Sequence, residues 1–136
     1  MDNKEITKDQ FKILITDDSA LSRKVMAEIL TDSGYSLLST ASTAEEAYLK
    51  TKKENYHLHL VDIVLPETSG LDLIKSLNEL PSPKCILVTS SLDSETYILE
   101  AISAGANDYL RKPFRETDLV KSVDRLFDYA IKEKIM

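Results

Sequence analysis

Tryptophan is missing from this chain, and its 136 residues include a single cysteine and only three glycines. The lone thiol, Cys85, excludes an internal disulfide and a cysteine-based zinc centre, which fits a reducing compartment. Gly34, Gly70 and Gly105 stand far apart and read as turn or helix-cap residues, so no glycine-rich loop exists to wrap a phosphate. Positive charge is in deficit. Lys and Arg number 17 against 23 Asp and Glu, and the resulting net charge of -6 argues against binding DNA or phospholipid through a basic face. No run reaches the roughly 18 apolar residues that a membrane helix needs, and residues 1–10 are polar, without the apolar stretch of a signal peptide. The expectation is a soluble cytoplasmic protein with neither nucleic acid nor membrane as partner.

What is present suffices for one core, since 43% of the residues are hydrophobic and 29% charged in a length suited to one domain. Residues 1–10 are expected to form a flexible segment, with the domain occupying 11–136. Phe11 to Thr16 reads as a strand, cut off by Asp17-Asp18-Ser19. A helix then starts, capped by Asp18 or Ser19, with Leu21, Val25, Ile29 and Leu30 at helical spacing until Ser33-Gly34. Tyr35 to Ala41 is the next strand, and Ser42-Thr43 with Glu45 or Glu46 opens a helix over 43–54. Tyr56 to Leu65 is nearly all apolar, as a strand buried on both faces would be. Leu71 to Leu80 is helical, and Pro81-Ser82-Pro83 breaks it before a strand from Lys84 to Thr89. A helix from Ser94 to Ala104 with Leu99 and Ile102 inward, a short strand from Asn107 to Arg111, and a helix from Glu116 to about Lys134 complete the chain. Leu119, Val123, Leu126 and Ile131 line one side of that last helix.

Five strands alternating with five helices predict a parallel α/β sheet, doubly wound, with helices on both faces. Ligands of such sheets bind beyond the carboxyl ends of the strands. Asp17-Asp18, Asp62, Thr89-Ser90 and Lys112-Pro113 all fall at that edge, whereas charges placed at random would also fall at the other. Clustered carboxylates repel one another, and a hard divalent cation such as Mg2+ removes the conflict. With Lys112 as a cationic clamp and the Thr89 hydroxyl as a donor, Asp62 becomes a candidate nucleophile for a phosphoryl group.

These residues, in order and at these intervals, resemble the response-regulator receiver domain of two-component signalling, from Phe11 to the C-terminus. The matching pieces are Asp17-Asp18, Asp62 with Pro66 and Gly70 behind it, Thr89, and Tyr109-Leu110-Arg111-Lys112-Pro113-Phe114. The resemblance implies a flavodoxin-like strand order 2-1-3-4-5 and a phosphoacceptor at Asp62, served by a sensor histidine kinase, a phosphotransfer protein or a small phosphodonor. It further implies Mg2+ held by Asp18, Asp62 and the backbone carbonyl of Val64, with Asp17 acting through metal-bound water. Lys112, Thr89 and the backbone N–H of Ser90 would contact the phosphoryl group, Thr89 and Tyr109 would form the switch, and the Lys112-Pro113 peptide would be cis.

Val64 is a departure, because many relatives carry a polar side chain there. It predicts slow loss of the phosphoryl group.

Taken singly, these features have plainer readings. Asp17-Asp18 could be helix-cap chemistry, and Thr89 an ordinary strand residue. His57 and His59 alternate on one strand face without a third ligand nearby, so both read as structural, His59 as buried and hydrogen-bonded. Cys85 reads as a small inward hydrophobe.

Because the sequence stops at the last helix, a stand-alone, chemotaxis-type regulator is expected, one that is not itself an enzyme. Its output would be a protein contact through helix 4, strand 5 and helix 5. Tyr97 and Ile98 widen the apolar band of helix 4 beyond one buried stripe. The alternatives are a phosphorelay intermediate that passes the phosphoryl group onward and an aspartyl-nucleophile phosphohydrolase. The latter would want an acid where Val64 stands.

Overall fold

The computed structural model describes residues 6–92 and 95–133. Five parallel strands, β1 (Lys12–Thr16), β2 (Leu37–Ala41), β3 (Leu58–Asp62), β4 (Cys85–Ser90) and β5 (Asp108–Arg111), form one sheet in the order β2-β1-β3-β4-β5. The helices between and after them are α1 (Ala20–Asp32), α2 (Ala44–Lys53), α3 (Gly70–Glu79), α4 (Glu95–Ala104) and α5 (Glu116–Lys132). The expected doubly wound sheet and its strand order are therefore observed. The expected helix start at Ser94, the loop residue Asp93, the helix end near Lys134 and residues 1–5 lie outside the described residues.

The core has two layers because side chains alternate across each strand. Ile13 and Ile15, Leu58 and Leu60, and Cys85 and Leu87 pack with Met26 and Leu30 of α1 and Leu119, Val123 and Leu126 of α5. Leu14, Val61, Ile86 and Val88 pack on the opposite face with Ala47 of α2, Leu73, Ile74 and Leu77 of α3, and Ala101 of α4. β3 and β4 are buried at every position, as a near-continuous apolar run implies for central parallel strands.

Several local expectations need correction. β3 stops at Asp62 rather than Leu65, because the Asp62 side chain accepts the Val64 N–H at 3.0 Å and Ile63 accepts the Gly70 N–H at 2.7 Å, which turns the chain away from the sheet. Ile63 and Leu65 remain buried in the loop and Val64 is exposed. On α1, Leu21 is 72% exposed and Val25 is also exposed; Met26 and Leu30 face inward. Ser22 and Arg23 are both tied to Asp17, and these bonds hold the helix in the same phase as the packing of Met26 and Leu30, with Ala27 and Ile29 beside them. On α4, Leu99 (64% exposed) and Ile102 are outward and only Ala101 is fully buried. Apolar residues span more than half the circumference of that helix, with Thr96, Glu100 and Ser103 together on the remainder, so the band is too wide to fix which part of it meets the sheet, and the small Ala101 makes the closest approach.

Residues 6–10, expected to be flexible, carry structure. Lys8–Gln10 forms a 3-10 turn, Ile6 packs on the core, and Lys8 pairs with Asp124 at 3.1 Å. His59 is buried as expected, yet neither ring nitrogen has a hydrogen-bond partner among the described residues. It was expected to have one. The Tyr56 ring meets it edge-on at 5.7 Å, and an aromatic edge leaves the two nitrogens unsatisfied. His57 instead accepts the Lys12 N–H at 2.8 Å and stacks on Phe11.

Candidate functional site

The polar residues at the carboxyl edge converge for a reason that lies in strand phase. Counting by two from the buried residues of the α1/α5 layer leads from Ile13 and Ile15 to Asp17, from Leu58 and Leu60 to Asp62, from Cys85 and Leu87 to Thr89, and from Leu110 to Lys112. The register locks the heights, since Thr16 pairs with Val61, Asp62 with Thr89, and Thr89 with Leu110. An apolar stripe on four strands thus ends in two acids, an alcohol and an amine.

Lys112 joins the acids. Its ammonium lies 2.8 Å from Oδ2 of Asp17 and 3.0 Å from Oδ2 of Asp62. Asp17 and Asp62 are buried and Asp18 is exposed, and the three carboxylates offer oxygens that all lie within 4.8 Å of one another. Burial pushes the Asp62 carboxyl above the ordinary carboxylate range, opposed by Lys112 and reinforced by the negative charge of Asp17. Burial alone would lower Lys112, but its hydrogen bonds to Asp17 and Asp62 outweigh that and hold it above its usual value. This pair of acids with one cation is short of positive charge. All its donors are hard oxygens, so the set fits a divalent cation such as Mg2+ and suits zinc or copper poorly.

The flanking residues are held by backbone contacts. Thr89 is buried beside Asp62, and its carbonyl accepts the Ile63 N–H at 3.1 Å. Ser90 is also buried; its hydroxyl accepts the Leu92 N–H at 2.9 Å and its carbonyl the Lys112 N–H at 2.8 Å. Tyr109 packs in the other layer and donates its hydroxyl to the Leu92 carbonyl at 2.6 Å, which ties β5 to the loop before α4. The Lys112-Pro113 peptide is cis. The structure therefore brings Asp17, Asp18, Asp62 and Lys112 together, with Thr89 and Ser90 on the adjoining strand and Val64 in the loop that follows Asp62.

Two supporting residues, Ser22 and Arg23, escaped the sequence reading, and a third, Gly70, was marked there without its physical reason. The Ser22 hydroxyl donates to Oδ2 of Asp17 at 2.8 Å, and Arg23 donates to the Asp17 carbonyl at 2.8 Å. Gly70 is more than a turn residue. A Cβ there would stand 2.2 Å from the Asp62 carbonyl oxygen, so α3 can begin against the backbone of the central acid only through glycine. Its distance of eight residues from Asp62 gave no local signal of that approach.

Comparison with known proteins bears on what such a pocket belongs to. The family described as response regulator receiver domain matches residues 13–124. This chain is a member of that family. It is 32% identical to the chemotaxis protein CheY of Thermotoga maritima over 115 residues, spanning 85% of this chain and 96% of that one. The chemotaxis protein CheY of Bacillus subtilis is 28% identical over 114 residues, 84% of this chain and 95% of its own. Among solved structures, a CheY-like receiver domain protein from Methanospirillum hungatei superposes with a TM-score of 0.85 at 29% identity, covering 90% of this chain and 98% of that one. The protein is thus a receiver domain of two-component signalling. Among the described residues, no helix is long and apolar enough to cross a membrane.

Proposed function

We propose that this receiver domain is the phosphoacceptor of a two-component pathway, with Asp62 as the residue modified. The observation that carries the reading is the position of the Lys112 ammonium, within hydrogen-bonding distance of both Asp17 and Asp62 at the mouth of an all-oxygen cluster. One oxygen of the Asp62 carboxylate attacks the phosphorus of a phosphohistidine on a kinase or phosphotransfer protein. The P–N bond breaks, its electrons pass to the imidazole, which takes up a proton, and Asp62 becomes an aspartyl phosphate. Lys112 and the Thr89 hydroxyl, with the Ser90 N–H, serve the phosphoryl oxygens. Asp18, Asp62 and the Val64 carbonyl would hold Mg2+, with Asp17 behind them. When bound, the ion supplies positive charge for the transferring oxygens.

The protein acts in this reading as a signalling acceptor in the cytoplasm and not as an enzyme on a separate substrate. The near-complete span of the chemotaxis relatives supports treating the matched region as a self-sufficient signalling unit. Its output is a contact with a downstream protein through α4, β5 and α5, which the outward Tyr97, Leu99 and Ile102 favour. Modification brings roughly -1.5 to -2 charges and three acceptor oxygens to the pocket. The Thr89–Tyr109 region, tied by the Tyr109 hydroxyl to Leu92, is the element that would respond.

Incubation with a small acyl- or amido-phosphate donor and Mg2+, followed by intact mass, tests this. The wild type is expected to gain one phosphate and Asp62→Asn none. Equal gain by both, or none by either, overturns the reading.

A further inference from the structure

The carboxylate of Asp17 is more heavily committed than that of either neighbour. Oδ1 accepts the Ser19 N–H at 2.9 Å, and Oδ2 accepts both the Ser22 hydroxyl at 2.8 Å and the Lys112 ammonium at 2.8 Å. An ionised carboxylate offers about four acceptor positions, so protein donors take all but one of those on Asp17. The Asp17 backbone is held separately, its N–H donating to the Ala41 carbonyl at 3.1 Å and its own carbonyl accepting from Arg23. Rotation of the side chain is opposed by the Ser19 N–H on Oδ1 and by Lys112 and the Ser22 hydroxyl on Oδ2, and of these donors only the Ser22 hydroxyl comes from a residue inside α1.

Helix stability gives no reason for that hydroxyl. The Ser22 N–H is already satisfied by the Ser19 side chain, which caps α1, and serine inside a helix is a poorer former than alanine. We propose that Ser22 is a positioning residue for the acidic pocket, its hydroxyl fixing the plane of the Asp17 carboxylate so that the remaining acceptor position serves water bound to a divalent cation held by Asp18 and Asp62. This inference rests on the phosphoacceptor reading above and adds to it a residue outside the acidic cluster. Groups that hydrogen-bond a metal-facing carboxylate commonly govern affinity by about tenfold or more.

The test compares the wild type with Ser22→Ala and Ser22→Thr, using calorimetric titration with magnesium chloride, thermal melts, and phosphorylation rates at low and saturating Mg2+. Ser22→Ala is expected to weaken Mg2+ binding about tenfold, to leave the melting temperature unchanged or raised, and to recover its rate at saturating Mg2+. Ser22→Thr, which keeps the hydroxyl, is expected to restore affinity. Wild-type affinity in Ser22→Ala, no rescue by Ser22→Thr, or a melting temperature that falls in parallel with affinity would each overturn the role of Ser22. If the wild type and Asp18→Asn alike bind no Mg2+, the phosphoacceptor reading itself fails, which distinguishes the two.

Discussion

His59 stands in the middle of the sheet with Leu14 on one side and Ile86 on the other, fully buried and without a hydrogen bond to either nitrogen among the described residues. Burial, with a smaller push from the Lys84 charge, lowers its pKa from 6.5 to about 3. The sign of the consequence is fixed. Below about pH 6.5 the unfolded chain takes up a proton that the folded chain refuses, so stability falls as the pH falls from there towards about 3. By about pH 5 this one group costs about 2 kcal/mol relative to neutral pH. His59→Leu removes the titration and both unpaired nitrogens. Its melting temperature is expected to exceed that of the wild type, with the gap widening between about pH 7.5 and about pH 5. A gap independent of pH would refute the assignment.

At the scale of elements, α4 separates two readings of the same apolar letters. Leu99 is solvated, so Leu99→Lys is expected to change stability by no more than about 0.5 kcal/mol in denaturant melts. An inward leucine would cost about 2–5 kcal/mol on removal of its side chain, and a loss of that size would contradict the observed face. The errors on α4 and α1 have different causes. Hydrophobic spacing was legible wherever one stripe stood against a polar remainder, as on α5, whose Leu119, Val123 and Leu126 are buried. It was ambiguous on α4, where the apolar band is wide, and it misled in part on α1, where Leu21 and Val25 stay outside while Met26 and Leu30 pack inward and Ser22 and Arg23 bond to Asp17. The placement of the acids and the lysine at one edge was legible because strand ends show as abrupt breaks in apolar runs. Their shared phase could have been counted from the same runs. The approach of Gly70 could not, because it depends on how a loop folds back on Asp62.

At the scale of the molecule, the two ends of the sheet differ in character. The carboxyl edge carries the charged pocket. The opposite end is closed by Phe11, Tyr35, His57 and Phe127, with the Tyr35 hydroxyl donating to Asp124 at 2.6 Å. A change at the pocket should pass through the polar tie between Tyr109 and Leu92 and not through this packed aromatic end. Amide and aromatic NMR signals of Ser90, Leu92 and Tyr109 are expected to move on addition of Mg2+ with a phosphate mimic, while those of Phe11, Tyr35 and His57 stay in place. Shifts spread evenly over both ends, or none at Tyr109, would contradict this route. The bridging amine has one further consequence. Lys112 follows β5, the last strand to be synthesised, and it meets acids that are 95 and 50 residues earlier in the chain. A nascent polypeptide still short of that strand holds Asp17 and Asp62 without their counter-charge, so the bridge between the two acids forms only with the finished sheet.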